Sequence, residues 1–114
     1  MYSPLYSYYL IYSDPNLKQF YDAGTLKEFL KDIPELKKDG PNHFVNAQGS
    51  SFISISLLSA KSIDSWSSQK VELDAFNLIS VIGTRNEDDE DTEELLIQIA
   101  DFLGWQWVDE SKPE

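Results

Sequence analysis

The chain has no cysteine and a single histidine, His43, in 114 residues. Without thiols there is no disulfide, no thiolate metal site and no cysteine nucleophile, a composition neutral to weakly favourable for a reducing cytoplasm. One imidazole with no second histidine or cysteine nearby is a structural or solvent-facing group before it is an acid or a base. Serines crowd residues 50 to 68. Gly49-Ser50-Ser51, however, lacks the second glycine and the strand-to-helix setting of a nucleophile elbow, so they read as the wet side of a hairpin and its loop. No phosphate-cradling glycine loop, dinucleotide fingerprint or HExxH pattern occurs. Neither an enzyme nor a cofactor is expected. Long apolar runs are missing too: nothing approaches the ~20 residues needed to span a bilayer, and Met1-Tyr2-Ser3-Pro4 places no basic residue ahead of a hydrophobic stretch. The expectation is a soluble, cytoplasmic protein.

Positive charge is also scarce, with nine Lys and Arg against twenty Asp and Glu and a net charge of −11. The imbalance is local. Residues 1 to 60 hold six acids against five lysines, whereas residues 61 to 114 hold fourteen acids against four bases. Such a surface repels phosphates and anionic headgroups, which argues against nucleic acid or membrane binding and for a basic protein partner.

The stretch from Phe76 to Val108 concentrates what is present. Phe76 to Ile82 carries β-branched and large apolar residues on both alternating faces, the pattern of a central strand covered on at least one side. Gly83-Thr84-Arg85-Asn86 breaks it, and seven of the eight residues from Glu87 to Glu94 are carboxylates. Leu95, Leu96, Ile99, Ala100, Phe102 and Leu103 then form one broad helical stripe. Asp91, with Glu94 three residues on, fits a helix N-cap, and Gly104 fits the left-handed residue that stops a helix. Trp105-Gln106-Trp107-Val108 alternates like a short final strand. At a period of two, Trp105 and Trp107 point the same way, so both are buried or both are available.

Upstream, Leu5 to Ser13 alternates as a first strand. Asp14-Pro15 starts a short turn or helix through Leu17, Phe20 and Tyr21 that ends at Gly24, and Thr25 to Glu28 forms a capping box. The helix behind that box, with Leu26, Phe29, Leu30 and Ile33 on its apolar face, ends or bends at Pro34. Glu35 to Asn42 reads as a polar connection. His43 to Ala47 and Ser51 to Leu58 flank a Gln48-Gly49-Ser50 turn as a hairpin, with Ile53, Ile55 and Leu57 on one side and Ser54 and Ser56 on the other. Ser59 to Gln69 reads as a loop that Ile63 and Trp66 could anchor. Val71 to Ile82 returns to strand with a bend near Asp74-Ala75, and residues 109 to 114 fray. One domain over residues 1 to 114 follows: an α+β fold with a mainly antiparallel sheet and two helices packed on one face. A ferredoxin-like split βαβ arrangement with one extra strand is the alternative. A homodimer through an edge strand at residues 5 to 12 is compatible with its tyrosines.

The acidic run does not have the spaced acids, glycine and terminal glutamate of a calcium loop, so no metal is expected. Asp91, Glu93 and Glu94 gain ~0.3 to 1 kcal/mol each from the positive helix start, but residues 87 to 90 precede that turn. Adjacent carboxylates repel by on the order of 1 kcal/mol at ~4 Å, and a cationic partner relieves that cost. Tryptophans and tyrosines are enriched at interface hot spots, and this chain has Trp66, Trp105 and Trp107, with five tyrosines in its first twelve residues. The candidate partner-binding residues are therefore Glu87, Asp88, Asp89, Glu90, Asp91, Glu93, Glu94, Trp105 and Trp107.

With its size, acid excess, lack of catalytic motifs and the run from Leu78 through the acidic turn to Trp105, the chain resembles small acidic immunity proteins of bacterial toxin systems. That resemblance implies an inhibitor that covers the active cleft of a cognate basic toxin, often a nuclease. A non-catalytic adaptor or regulatory domain of a larger assembly, its acids serving solubility, is the competing expectation.

Overall fold

The structure, a computed structural model, describes residues 6–34, 36–46, 53–62, 71–84 and 89–110. Its elements run β1 (Tyr6–Tyr12), β2 (Tyr21–Asp22), α1 (Ala23–Lys31), β3 (Leu36–Lys38), β4 (His43–Asn46), β5 (Ile53–Leu58), β6 (Ala75–Phe76), β7 (Leu78–Thr84), α2 (Asp89–Leu103) and β8 (Gln106–Asp109). Six strands make one sheet in the order β3-β4-β5-β7-β1-β8, and β2 pairs with β6 in a separate ribbon. Every described pairing is antiparallel. The α+β reading holds. The split βαβ alternative agrees with it: α1 joins β1 to β5, which run parallel with β7 between them, α2 joins β7 to β8, and the order β8-β1-β7-β5 is ferredoxin-like, with two added edge strands, β3 and β4, where one was expected.

Register decides which residues meet. β7 pairs with β1 from Thr84↔Tyr6 to Ile79↔Ile11 and with β5 from Gly83↔Ile53 to Leu78↔Leu58. Because side chains alternate, Tyr9, Ile11, Phe44, Ile53, Ile55, Leu57, Ile79 and Val81 share one face, and α1 and α2 lay Leu26, Leu30, Leu96 and Ile99 upon it. A slip of one residue would turn that whole set outward. Leu10, Tyr12, Leu17, Leu58 and Leu78 form a smaller cluster on the opposite face, so the start of β7 is covered on both sides.

Several local expectations shift. α1 starts at Ala23, and its N-cap is Asp22, whose carboxylate accepts from the Thr25 amide and hydroxyl, both at 2.8 Å. Thr25 is thus a partner of the cap rather than its source, and Gly24 lies in the first turn instead of ending an earlier one. Asp14 does close a turn, accepting from the amides of Asn16 and Leu17, but no helix follows it. Part of the supposed polar connection, Leu36–Lys38, is an edge strand because Leu36 has a buried site to fill. The chain bends at Asp74, where a bend was expected, and again at Asn77 between β6 and β7, while residues 71–73 are not strand. α2 begins at Asp89, so Asp91 is inside the first turn and not its cap. Gly104 takes a positive φ of 72° and ends α2 as its position suggested. Asp109 closes β8 and the Glu110 amide donates to the Tyr8 carbonyl at 2.7 Å, so the frayed tail does not begin at 109. β1 is paired by β7 from Tyr6 to Ile11 and by β8 from Tyr9 to Tyr12, so over Tyr9–Tyr12 it has no free edge for a dimer through residues 5 to 12. The hairpin turn at 47–52, Trp66, and residues 111–114 lie outside the described residues.

Candidate functional site

α1 packs beside β3, at one edge of the sheet, and α2 beside β7 and β8, from the centre to the other edge. This sorts the charges. Around α1 and β3, Lys27, Lys31, Lys37 and Lys38 are mixed with Glu28, Asp32 and Asp39. α2 and β8 carry Asp89, Glu90, Asp91, Glu93, Glu94, Asp101 and Asp109 and not one lysine or arginine. Among the described residues, ion pairs engage Glu28 and Glu72, Asp39 lies beside the His43 imidazole, and no ion pair engages Glu93, Glu94 or Asp101, all three exposed.

Of the candidate binding residues, Glu87 and Asp88 lie outside the described residues. The backbone of Asp89, Glu90 and Asp91 opens α2, and Glu93 and Glu94 follow on its solvent side. Trp105 and Trp107 stand apart from that end of the helix, beyond its C-terminus. The two share one environment, as the period of two requires, but it is neither full burial nor full availability: both are half-buried against the main core. Trp107 meets Tyr9 edge-on at 5.8 Å between centroids. Trp105 meets Phe76 at 5.4 Å and Tyr21 at 6.2 Å, again edge-on. The acids and the tryptophans therefore occupy opposite ends of α2, about fifteen residues or roughly 20 Å apart along a helix.

Other groups were not singled out by pattern. Tyr21 and Phe29, from the α1 region, join Phe102 and Trp105 in a continuous set of rings at the seam between the helices. Phe102 had been readable only as part of an apolar stripe. It sits at the edge of that stripe, and stays 38% exposed. The signal that could have found it is its offset: the buried positions Leu95, Leu96, Ile99 and Leu103 centre about a quarter turn or more away.

Glu72 bridges two lysines, Lys38 at 3.2 Å and Lys27 at 3.6 Å. The hydrogen bond from Lys38, then the charge of Lys27, holds its carboxyl below the ordinary value. Asp22 is also held below its ordinary value, first by the Thr25 hydroxyl and then by the Thr25 amide. Both shifts are structural in cause: they follow from a clasp and a helix cap.

His43 is less solitary than its count implies. Its Nε2 lies 2.6 Å from Ser54 Oγ, and its Nδ1 lies 3.3 Å from the Asp39 carbonyl and 3.5 Å from the Asp39 carboxylate. The order Asp, His, Ser is that of a nucleophilic relay. Here, though, Ser54 is in the interior of β5, paired by Val45 on one side and Ile82 on the other. Its surrounding amides are spent in the ladder and lie in the sheet plane, which leaves β5 no pair of N–H groups to hold an oxyanion. The trio ties the β3–β4 turn to β5. Among the described residues no three carboxylates or imidazoles converge as a metal site, and no helix is long and apolar enough to cross a membrane.

No family model, no curated protein and no solved structure matches the chain.

Proposed function

We propose that this chain is a non-catalytic acidic binding protein that neutralises a basic protein toxin, a nuclease being the natural class, by covering its active cleft as immunity proteins do. The observation that carries this reading is the unmixed acidity of α2: among the described residues no lysine or arginine pairs with its exposed carboxylates Glu93, Glu94 and Asp101. A cationic partner supplies the missing charge. Complementary potentials of this kind raise the association rate and make it fall with salt.

The test is the product of the neighbouring reading frame. If that product is basic and toxic when expressed alone, the present chain should neutralise it one to one, with an on-rate that declines as ionic strength rises. Replacing Glu87, Asp88, Asp89 and Glu90 together by glutamine should slow association. A toxic basic neighbour that is neither bound nor neutralised removes the inhibitor reading. Capture of an assembly component with salt-indifferent affinity favours the adaptor instead.

A further inference from the structure

The seam between α1 and α2 is built from rings where aliphatic side chains would suffice. Phe29 and Phe102 stack at 4.2 Å with their planes 16° apart, Tyr21 lies 6.1 Å from Phe102, and Trp105 lies 6.2 Å from Tyr21. Phe76, fully buried, floors the set 5.9 Å from Tyr21. Phe102 is exposed, and Tyr21, Phe29 and Trp105 are half-buried, so ring surface reaches solvent.

Carboxylates flank these rings along the chain. Exposed Asp22 follows Tyr21, exposed Asp101 precedes Phe102, and Asp32 comes three residues after Phe29. The two lysines of α1 are engaged elsewhere, Lys27 with Glu72 and Lys31 with Glu28. The last turn of α2 carries no basic residue and contains Asp101, so the negative end of the helix dipole is reinforced rather than offset. Ring faces, acids that form no ion pair among the described residues and a helix C-terminus all favour a cation. A plain apolar ligand would desolvate those acids without answering them.

We propose that this seam receives an arginine side chain of the cationic protein partner, its guanidinium laid against Phe102, Tyr21 and Trp105 within reach of Asp101 and Asp22. The inference rests on the proposed function and names the side chain that the surface takes. Arginine is favoured over lysine because its planar, weakly hydrated guanidinium stacks on rings while it still pairs with carboxylates.

The full chain is titrated at low salt with a blocked triarginine peptide and a blocked trilysine peptide, following the ring resonances of Phe102, Tyr21 and Trp105. The arginine peptide should bind about two- to fivefold more tightly and shift those resonances. Phe102→Leu, which keeps apolar bulk against Phe29 but removes the π face, should erase the preference. Asp101→Asn, a surface change that leaves the rings in place, should weaken both peptides. Equal affinities, shifts confined to the start of α2, or no binding of either peptide would overturn the arginine seat. None of these results bears on neutralisation of a neighbouring toxin, which judges the inhibitor reading separately.

Discussion

The side-chain amide of Asn77 is joined to the backbone of Ala60 in both directions: it accepts from the Ala60 amide at 2.8 Å and donates to the Ala60 carbonyl at 2.8 Å. A further bond from Nδ2 reaches the Leu17 carbonyl at 3.1 Å. Asn77 is 1% exposed and stands between β6 and β7, so one side chain replaces the backbone partners that both neighbouring segments lack there. Asn77→Ala should cost about 2–5 kcal/mol, since a buried unmet donor or acceptor costs about 1–3 kcal/mol and more than one is left. Urea unfolding should show a lower midpoint with an unchanged slope; a midpoint within error of wild type would mean that water satisfies the freed groups.

Lys27 is 5% exposed and reaches Glu72 from the buried side of α1. Removing Glu72 strands that ammonium, whereas removing Lys27 leaves an exposed carboxylate that Lys38 still answers. Glu72→Ala should therefore destabilise more than Glu28→Ala, whose partner Lys31 is exposed. Lys27→Met should be neutral or mildly stabilising, and combined with Glu72→Ala should recover most of the loss. Thermal midpoints of the four variants decide it, and additive effects of the pair would refute the coupling.

Two glycines should respond to alanine with opposite signs. Gly104 ends α2 at φ +72° with open space where a Cβ would go, so Gly104→Ala pays backbone strain alone, about 1 kcal/mol. Gly24 lies within the first turn of α1, and a Cβ there would meet the Asp22 carboxylate at an ordinary 3.4 Å. Gly24→Ala should stabilise by about 0.5–1 kcal/mol through helix propensity and a less disordered unfolded chain. Denaturant titration of both variants checks the signs.

Acid should undo the cap and the clasp. The carboxyls of Asp22 and Glu72 are held below their ordinary values of 3.8 and 4.5, so on acidification the unfolded chain takes up protons before the folded one. The stability they lend is complete above those ordinary values and is lost as pH falls through the folded ones. Thermal midpoints from about pH 6 down to about pH 3 should fall less steeply for Asp22→Asn and Glu72→Gln than for wild type. An unchanged slope in both would place the acid sensitivity in other carboxylates.

Charge and short-range pattern belong to neighbours in the chain, and the sequence alone determined what depends on them: the acid-rich start of α2, the central strand from Leu78, the Gly104 stop, and the inward row Ile53, Ile55, Leu57. Contacts between distant segments decided the rest. Leu36 became an edge strand only because Asn46, Val45 and Phe44 offered it a ladder. Asp22 displaced Thr25 as the cap because β2, paired with β6, sets where the helix can begin. β1 lost its expected free edge over Tyr9–Tyr12 when β8 returned to pair with it from 94 or more positions away. Of the candidate binding surface, the run of carboxylates was legible residue by residue. The ring seam was not, since Phe29 and Phe102 are 73 positions apart and meet only when both helices settle on the same face of the sheet. A side chain's type and local period are written in the sequence; which ring it will face is set by the register and packing of elements that the sequence does not place side by side.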